Sequence, residues 1–175
     1  MSIDTITRLI RDVPDFPKPG ILFKDITPVL QDAAGLKASV DVFVDRWRDQ
    51  NIDVVVGIES RGFVFGAPVA YQLGVGMSVV RKAGKLPYTT ISRSYDLEYG
   101  SATLEAHIDS VKPGARVVIL DDLLATGGTM KAACELLHEL DAEIVEVGCL
   151  VELGFLPGRQ VLEAAGIKTW CPITF

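Results

Sequence analysis

Apolar-rich runs alternate along the chain with stretches in which apolar residues recur every three or four positions. The runs occupy 53–58, 77–82, 117–120 and 143–152, and strings such as Val-Val-Ile-Leu leave no polar face. Such runs predict strands buried on both sides, as in a parallel sheet. Helical spacing follows the third run from Met130 onward. Strands alternating with helices predict a single α/β domain over the whole chain, with a mainly parallel central sheet flanked by helices.

Other parts of the chain show different patterns. Positions 15–30 are rich in proline and turn residues, and 83–100 are polar, aromatic and marked by Gly and Pro, so we expect both to lack regular structure. The first dozen residues and 35–51 have the spacing of amphipathic helices. The alternation in 102–108 predicts one antiparallel strand.

The composition excludes several classes of protein. A net charge of −6 and a pI of about 4.9 make a nucleic-acid surface improbable on electrostatic grounds. The apolar runs are too short to span a membrane, and the first residues lack an apolar signal core. Three scattered cysteines fit neither a zinc site nor a disulfide framework, so we expect core residues in a cytoplasmic protein.

The stretch from 117 to 133 carries the clearest chemical signal. Two adjacent acids, Asp121 and Asp122, follow a buried strand, and Thr-Gly-Gly-Thr then leads into a helix. We expect the acids to face solvent at the carboxyl end of the strand, where open α/β sheets bind ligands. The unpaired N–H groups and partial positive charge of a helix amino terminus favour a phosphate there. Gly127 and Gly128 allow the backbone to wrap closely around it.

The two acids would repel a phosphate, so they suit a neighbouring group that offers hydroxyls or carries a metal. The stretch therefore indicates a sugar 5-phosphate, with acids on the sugar and amides on the phosphate. The residues alone leave open an acidic turn followed by an ordinary capped helix. The sequence has neither a P-loop nor a G-x-G-x-x-G motif, so those nucleotide sites are not supported.

The stretch "VVILDDLLATGGT" resembles the phosphoribosyl pyrophosphate (PRPP) motif of the type I phosphoribosyltransferases, and its A-T-G-G-T form is similar to their adenine-specific branch. Four further segments agree in order: "DFPKPGILFKDITPVL", "GIESRGFVFGAPVA", "RKAGKLP" and "SYDLEYG". The resemblance implies the type I fold, with a small N-terminal hood, about 1–32, over the base site. It also implies a purine-salvage reaction in which adenine and PRPP give AMP and pyrophosphate through an oxocarbenium-like transition state.

The resemblance implies a role for each matching residue. The ribose hydroxyls would lie on Asp121 and Asp122, and the 5-phosphate on Ala125, Thr126, Gly127, Gly128 and Thr129. The pyrophosphate would lie on Glu59, Ser60, Arg61, Arg81, Lys82 and Lys85, with a non-proline cis peptide at Glu59–Ser60. From the residues alone, a plain turn at 59–62 and a solvated charge run at 81–85 remain open.

The resemblance implies that Leu22, Phe23 and Arg61 bind the adenine base. Phe23 would stack on one face of adenine, with the Arg61 side chain near the other, and Glu98 would act as the catalytic residue by adenine N7. The residues alone leave open a buried anchor at position 23 and a solvated acid at position 98.

The resemblance further implies Mg²⁺ carried by PRPP or pyrophosphate and not held directly by the protein. It also implies a homodimer in which Arg81 lies near the subunit interface. Two rival functions differ from this one: a regulator that binds PRPP only as a signal, and a transferase for hypoxanthine/guanine, xanthine or orotate. The acidic charge and Glu98 disfavour the first, and the hood segment "FPKPGILF" disfavours the second.

Overall fold

Strands and helices alternate through the described residues, 3–96 and 101–175, of a computed structural model of the chain. The helices are Ile3–Leu9 (α1), Thr27–Gln31 (α2), Ala33–Trp47 (α3), Glu59–Leu73 (α4), Gly128–Glu139 (α5) and Gly158–Ala164 (α6). The strands are Arg11–Pro14 (β1), Leu22–Asp25 (β2), Val54–Ile58 (β3), Gly76–Lys82 (β4), Thr90–Asp96 (β5), Ser101–His107 (β6), Arg116–Leu124 (β7), Glu143–Glu152 (β8), Thr169–Trp170 (β9) and Ile173–Thr174 (β10). Within these ranges, no helix has the length and apolar character that crossing a membrane requires.

The central sheet has the strand order β10-β8-β7-β3-β4-β6-β5, and β9 pairs with β8 outside this path. The pairs from β10 to β4 are parallel, whereas β6 runs antiparallel to both β4 and β5. The prediction of a mainly parallel sheet with one antiparallel strand over 102–108 is therefore confirmed, although β5 adds a second antiparallel pairing.

Strand β7 is buried on both faces, as its unbroken apolar run predicts. Val117 and Ile119 belong to a core cluster that includes the apolar side of α5. Val118 and Leu120 belong to a second cluster, formed with α3 and α4, whose large buried members include Phe43. Two layers of helices thus cover opposite faces of one sheet, which is the arrangement that βαβ units produce.

The prediction that 15–30 lacks regular structure is wrong. Strand β2 pairs antiparallel with β1 and places Arg11 opposite Asp25, and helix α2 follows directly. The first helix also ends earlier than predicted, at Leu9. Pairing partners that lie 8 to 14 residues apart fix this hairpin, and local spacing does not reveal them. Ile26 and Val29 anchor the segment in the same cluster as α3 and α4.

Two further predictions, on residues 83–100 and on the end of β7, differ from the structure. The prediction of a loop over 83–100 misses β5, which pairs with β6 along its whole length. Strand β7 extends past position 120 to Leu124, because β8 continues to pair with it as far as Glu152. Asp121 and Asp122 consequently lie within the strand, where pairing fixes their directions, and not in a turn.

Glycine at position 62 sets how closely α4 approaches the sheet. A Cβ atom on Gly62 would lie 2.6 Å from the carbonyl oxygen of Leu120 on β7. On the same helix, a Cβ atom on Gly66 would lie 2.8 Å from Met77 Cε, the end of a flexible side chain. The first obstruction is backbone and the second can rotate away, so the two glycines provide a matched comparison.

We expect Gly62→Ala to lower the free energy of unfolding by about 1–3 kcal/mol, because α4 must move away from β7. Urea denaturation measures this difference, with Gly66→Ala as the control. The control gains helix propensity and meets only the mobile Met77 terminus, so its stability should change by less than about 1 kcal/mol. Equal stability of the two variants would show that α4 is not held by this close approach.

Candidate active site

A cavity of about 470 Å³ lies where β3 and β7 end and where α4 and α5 begin. Because parallel strands end at the same edge of the sheet, residues from distant parts of the chain meet here. Its lining comprises Ile58, Glu59, Ser60, Arg61, Lys82, Tyr95, Ala102, Leu104, Asp121, Asp122, Leu123, Leu124, Ala125, Thr126, Gly127, Thr129 and Met130.

The amino terminus of α5 forms one end of this cavity. Gly127 precedes the helix with φ +84°, a left-handed conformation that favours glycine, and no side chain caps the helix. A Cβ atom on Gly127 would also lie 2.8 Å from the carbonyl oxygen of Gly158. The turn therefore requires glycine on two counts, and among the described residues no side chain caps the first N–H groups of α5. This geometry suits an anion.

The amino terminus of α4 lies at the same cavity and likewise has no side-chain cap. Glu59, its first residue, has φ +48°, which is uncommon for a residue with a side chain. The predicted cis peptide at Glu59–Ser60 is wrong: within the described ranges only Phe16–Pro17 is cis. The chain reverses from strand to helix through the left-handed Glu59 instead, and such conformations cluster at functional sites.

Glu59 joins this helix terminus to the neighbouring strand β4. Its Oε1 atom accepts a hydrogen bond of 2.5 Å from the Lys82 backbone N–H and lies 3.6 Å from Arg81 Nε. The Arg81 guanidinium also lies 5.4 Å from the centre of the Phe63 ring. Arg81 thus faces α4 of its own chain, whereas Lys82 lines the cavity.

The expectation that both acids face solvent is wrong for Asp122. Its side chain is only 8% exposed, and it forms a 2.6 Å ion pair with Nε of Arg61, whose side chain is 61% exposed. The Asp122 carboxylate raises the pKa of the Arg61 guanidinium. An arginine at the start of α4 therefore neutralises an acid on β7. Water can solvate the exposed Arg61 when the pair separates, whereas the buried Asp122 then needs a replacement partner.

The environment of Asp121 disfavours the ionised form of its carboxyl group. Burial raises the pKa of the Asp121 carboxyl well above its ordinary value, and the neighbouring Asp122 charge raises it further. The backbone N–H of Asp122 donates a 2.8 Å hydrogen bond to Asp121 Oδ1, which partly offsets this effect. Two carboxylates held side by side in a half-enclosed cavity weaken the folded state, and such sites are often functional.

The cavity brings together most, but not all, of the residues predicted from the sequence. Both acids, Ala125 to Gly127, Thr129, Glu59 to Arg61 and Lys82 line it. Gly128 forms the first residue of α5 just behind the lining. Arg81, Lys85, Leu22 and Phe23 do not line the cavity, and Glu98 lies outside the described residues.

Sequence reasoning missed Tyr95, which lines the cavity from β5. The Thr129 hydroxyl donates a 3.0 Å hydrogen bond to the Tyr95 hydroxyl oxygen. Leu104 and Met130 add an apolar wall beside it. The available signal in the sequence was the stretch Ile-Ser-Arg-Ser-Tyr over 91–95, in which Ile91 and Tyr95 fall on one face of a strand, but the surrounding Gly, Pro and polar residues favoured a loop.

The N-terminal segment presents apolar side chains that the core does not cover. Phe16, Ile21 and Leu22 are 52%, 40% and 48% exposed, and the Phe16 and Phe23 rings meet edge to face with centres 5.1 Å apart. Lys24 Nζ lies 4.0 Å from the centre of the Phe175 ring. Because Phe175 follows β10, the segment is tied to the edge of the sheet at which the parallel strands end.

Comparison with known proteins identifies the family of this fold and cavity. The phosphoribosyl transferase domain matches residues 27–160, more than half of the chain. An adenine phosphoribosyltransferase of Roseiflexus castenholzii is 56% identical over 157 residues, which cover 90% of this chain and 91% of the relative.

Two solved structures show that the similarity extends to the three-dimensional fold. The adenine phosphoribosyltransferase of Thermoanaerobacter pseudethanolicus is 48% identical, with a TM-score of 0.95 over 99% of this chain and 100% of the other. The enzyme of Giardia lamblia, solved with 9-deazaadenine, is 38% identical, with a TM-score of 0.94 over 100% and 98%. The resemblance drawn from five short motifs is therefore confirmed across nearly the whole chain, and the chain belongs to the adenine phosphoribosyltransferase family, with the type I phosphoribosyltransferase fold.

Proposed function

We propose that the cavity transfers a phosphoribosyl group from PRPP to adenine, giving AMP and pyrophosphate in purine salvage. One observation carries this proposal: two helix amino termini without side-chain caps flank a pair of carboxylates in the same cavity. PRPP has the same order of groups, with a phosphate at one end, ribose hydroxyls in the middle and pyrophosphate at the other end. Each part of the donor thus meets a partner of suitable chemistry.

The 5-phosphate binds at the amino terminus of α5, on the backbone from Ala125 to Thr129. Asp121 and Asp122 accept hydrogen bonds from the ribose 2- and 3-hydroxyls. Because Asp122 is paired with Arg61 in the free protein, donor binding exchanges one partner of this acid for another. Arg61 is then available to the pyrophosphate and the base, which lie on the α4 side of the cavity.

The pyrophosphate binds at the amino terminus of α4, on the backbone of Glu59 to Arg61. Lys82 supplies a cation from the cavity wall, and the exposed Lys85 lies three residues further along the chain. Cationic partners matter here because the protein as a whole is acidic and would otherwise repel a highly charged donor.

Adenine binds beneath the N-terminal segment, with Leu22 and Phe23 on one side and Arg61 near the other. The exposed apolar surface of Phe16, Ile21 and Leu22 supports a flat apolar partner at this place. A backbone carbonyl accepts from the 6-amino group of adenine, whereas a 6-oxo base would place acceptor against acceptor and leave buried groups unpaired. The relative solved with a deazaadenine agrees with this preference.

The chemistry follows from the charges around the ribose. As the bond to pyrophosphate breaks, positive charge develops on the sugar ring, as in other glycosyl transfers. The carboxylates of Asp121 and Asp122 place negative charge beside that ring in a partly enclosed site, where electrostatic stabilisation is most effective. Glu98, from the segment between β5 and β6, handles the proton at adenine N7.

Magnesium enters with the donor. Within the described ranges, no group of three His, Cys, Asp or Glu side chains could hold a metal ion by itself. The two acids on β7 are nevertheless hard oxygen donors, and Mg²⁺ commonly combines one or two carboxylates with substrate phosphates and water. The bound ion would neutralise charge on the pyrophosphate.

We also propose a homodimer. Val64 and Tyr71, which are 41% and 83% exposed, lie seven residues apart on one face of α4, and such a stripe favours a protein partner. Arg81 lies beside this helix, where it forms an ion pair with Glu59 and lies over the Phe63 ring. We place the enzyme in the cytoplasm, where the thiols of its three free cysteines would stay reduced.

The direct test incubates the protein with PRPP, magnesium and each common base in turn and follows nucleotide formation. The proposal predicts AMP from adenine, with hypoxanthine, guanine, xanthine and orotate giving rates lower by about 10²-fold or more. Absence of AMP would refute the proposed activity. A faster reaction with another base would refute the proposal that the N-terminal hood selects adenine.

Asp121→Asn should stabilise the free protein at neutral pH and weaken PRPP binding. The folded state raises the pKa of Asp121, so this group favours folding below its unfolded pKa of about 3.9 and loses that advantage as the pH rises through the folded pKa. The variant avoids this loss, so its extra free energy of unfolding should grow between about pH 4.5 and about pH 7.5.

Urea denaturation at both pH values and calorimetric titration with PRPP measure these effects. Asp109→Asn, which changes an exposed acid after β6, is the control and should alter neither quantity. A variant less stable than the parent at both pH values would contradict the burial penalty. Unchanged PRPP affinity would remove Asp121 from the ribose site.

Glu98→Gln should lower turnover by about 10²- to 10⁴-fold while changing adenine and PRPP binding much less. An interaction made chiefly in the transition state lowers kcat and kcat/KM together. Single-turnover rates measure the chemical step directly, again with Asp109→Asn as the control. Near-normal single-turnover rates would show that Glu98 does not handle the proton.

Mixing two inactive variants tests whether Arg81 acts across the dimer. One carries Arg81→Ala, and the other carries Asp121→Ala with Asp122→Ala. If Arg81 serves the site of its partner, each mixed dimer has one intact site, and random exchange should restore about a quarter of all sites. Mixed dimers demonstrated by mass spectrometry that remain inactive would place Arg81 in its own subunit's site, where it faces Glu59.

A further inference from the structure

Tyr95 connects the β5–β6 hairpin to the turn at the start of α5. Its hydroxyl lies 3.0 Å from Oγ1 of Thr129, the second residue of that helix, and both residues line the cavity. Tyr95 is partly buried and packs against the core cluster on this side of the sheet. A tyrosine hydroxyl, which can both donate and accept, is thus held against the proposed 5-phosphate site.

A second contact keeps the position of this hydroxyl fixed relative to α5. Arg93 lies two residues earlier, on the same face of β5, and its guanidinium is 2.9 Å from Glu139 Oε2 and 3.6 Å from Glu135 Oε2. Leu104, opposite Arg93 on β6, is fully buried in the cluster that also contains Met130. The hairpin therefore packs against α5 at several positions, which favours a constant distance between Tyr95 and the helix terminus.

The direction of the hydrogen bond should reverse when a phosphate binds. In the free protein the Thr129 hydroxyl donates to Tyr95. Fully ionised phosphate oxygens only accept, so Thr129 must turn its hydrogen toward the phosphate to bind it. This rotation turns a lone pair of Thr129 Oγ1 toward Tyr95, where it accepts a hydrogen bond from the Tyr95 O–H. The resulting chain runs from Tyr95 to Thr129 to phosphate, and each bond in such a chain polarises and strengthens the next.

We propose that Tyr95 is a positioning residue of the 5-phosphate site, acting through the hydroxyl of Thr129. This inference rests on the proposed role of residues 125–129 in holding the 5-phosphate. It differs from a role in packing alone, because the hydroxyl should matter for ligands that carry a 5-phosphate and not for ligands that bind only at α4. It also places a binding determinant on β5, immediately before the segment that carries Glu98.

The test measures dissociation constants for AMP and for magnesium pyrophosphate by calorimetry. AMP contacts the α5 terminus, whereas pyrophosphate binds at the α4 terminus. Loss of one hydrogen bond changes binding by about 2- to 12-fold, so Tyr95→Phe should weaken AMP by that factor and leave pyrophosphate unchanged. Tyr88→Phe, two residues before β5 and 58% exposed, is the matched control and should change neither.

A double-mutant cycle with Thr129 separates positioning from packing. In the Thr129→Val background, Tyr95→Phe should have no further effect on AMP, because its partner is already absent. In the Thr129→Ser background, which keeps the hydroxyl, the effect of Tyr95→Phe should return. Thermal unfolding of every variant identifies any loss that reflects a change in the fold.

Several outcomes would overturn the inference. It fails if Tyr95→Phe binds AMP like the parent, weakens AMP and pyrophosphate binding equally, or weakens AMP binding as much in the Thr129→Val background as in the parent. If Thr129→Val itself leaves AMP binding unchanged, the 5-phosphate assignment and the inference both fail. A normal effect of Thr129→Val with none from Tyr95→Phe overturns the inference alone and leaves the proposed function standing.

Discussion

The parallel pairing of β3 with β7 is the constraint on which the site depends. It places Gly57 beside Leu120, so that β3 ends level with the middle of β7. The helix that follows β3 then starts beside Asp121 and Asp122, the two residues that follow Leu120 on β7. Gly62 allows that helix to lie against the Leu120 carbonyl, since any Cβ atom there would meet it. A shift of one residue in this pairing would separate the start of α4 from Asp121 and Asp122.

The electrostatic arrangement of the free protein has a consequence for its function. Asp122 has Arg61 as a partner, whereas burial and the neighbouring charge raise the pKa of Asp121. The folded chain therefore holds a carboxylate in an environment that opposes its ionisation. Ribose hydroxyls and a magnesium ion that arrives with the donor would stabilise that charge. The part of the fold that weakens the free protein is thus the part that donor binding should strengthen.

The sequence revealed features that depend on local pattern and missed those that depend on distant partners. The buried strands and the turn before α5 are visible because apolar runs and glycines act within a few residues. The β1–β2 hairpin joins residues 8 to 14 positions apart. The pairing of Asp122 with Arg61 and the contact of Tyr95 with Thr129 join residues that are still further apart in the chain. The resemblance implies a cis peptide at Glu59–Ser60 and the residues alone leave a plain turn open, but residue type does not reveal that Glu59 adopts a left-handed conformation instead.

A crystal structure with magnesium and an unreactive PRPP analogue would test the proposed orientation of the donor. We expect the 5-phosphate on the N–H groups at residues 127–129, the pyrophosphate at 59–61, and the ribose hydroxyls on Asp121 and Asp122. We also expect the Arg61–Asp122 ion pair to be broken in this complex. A donor bound in the reverse direction, or one that leaves this ion pair intact and makes no contact with either acid, would contradict the proposal.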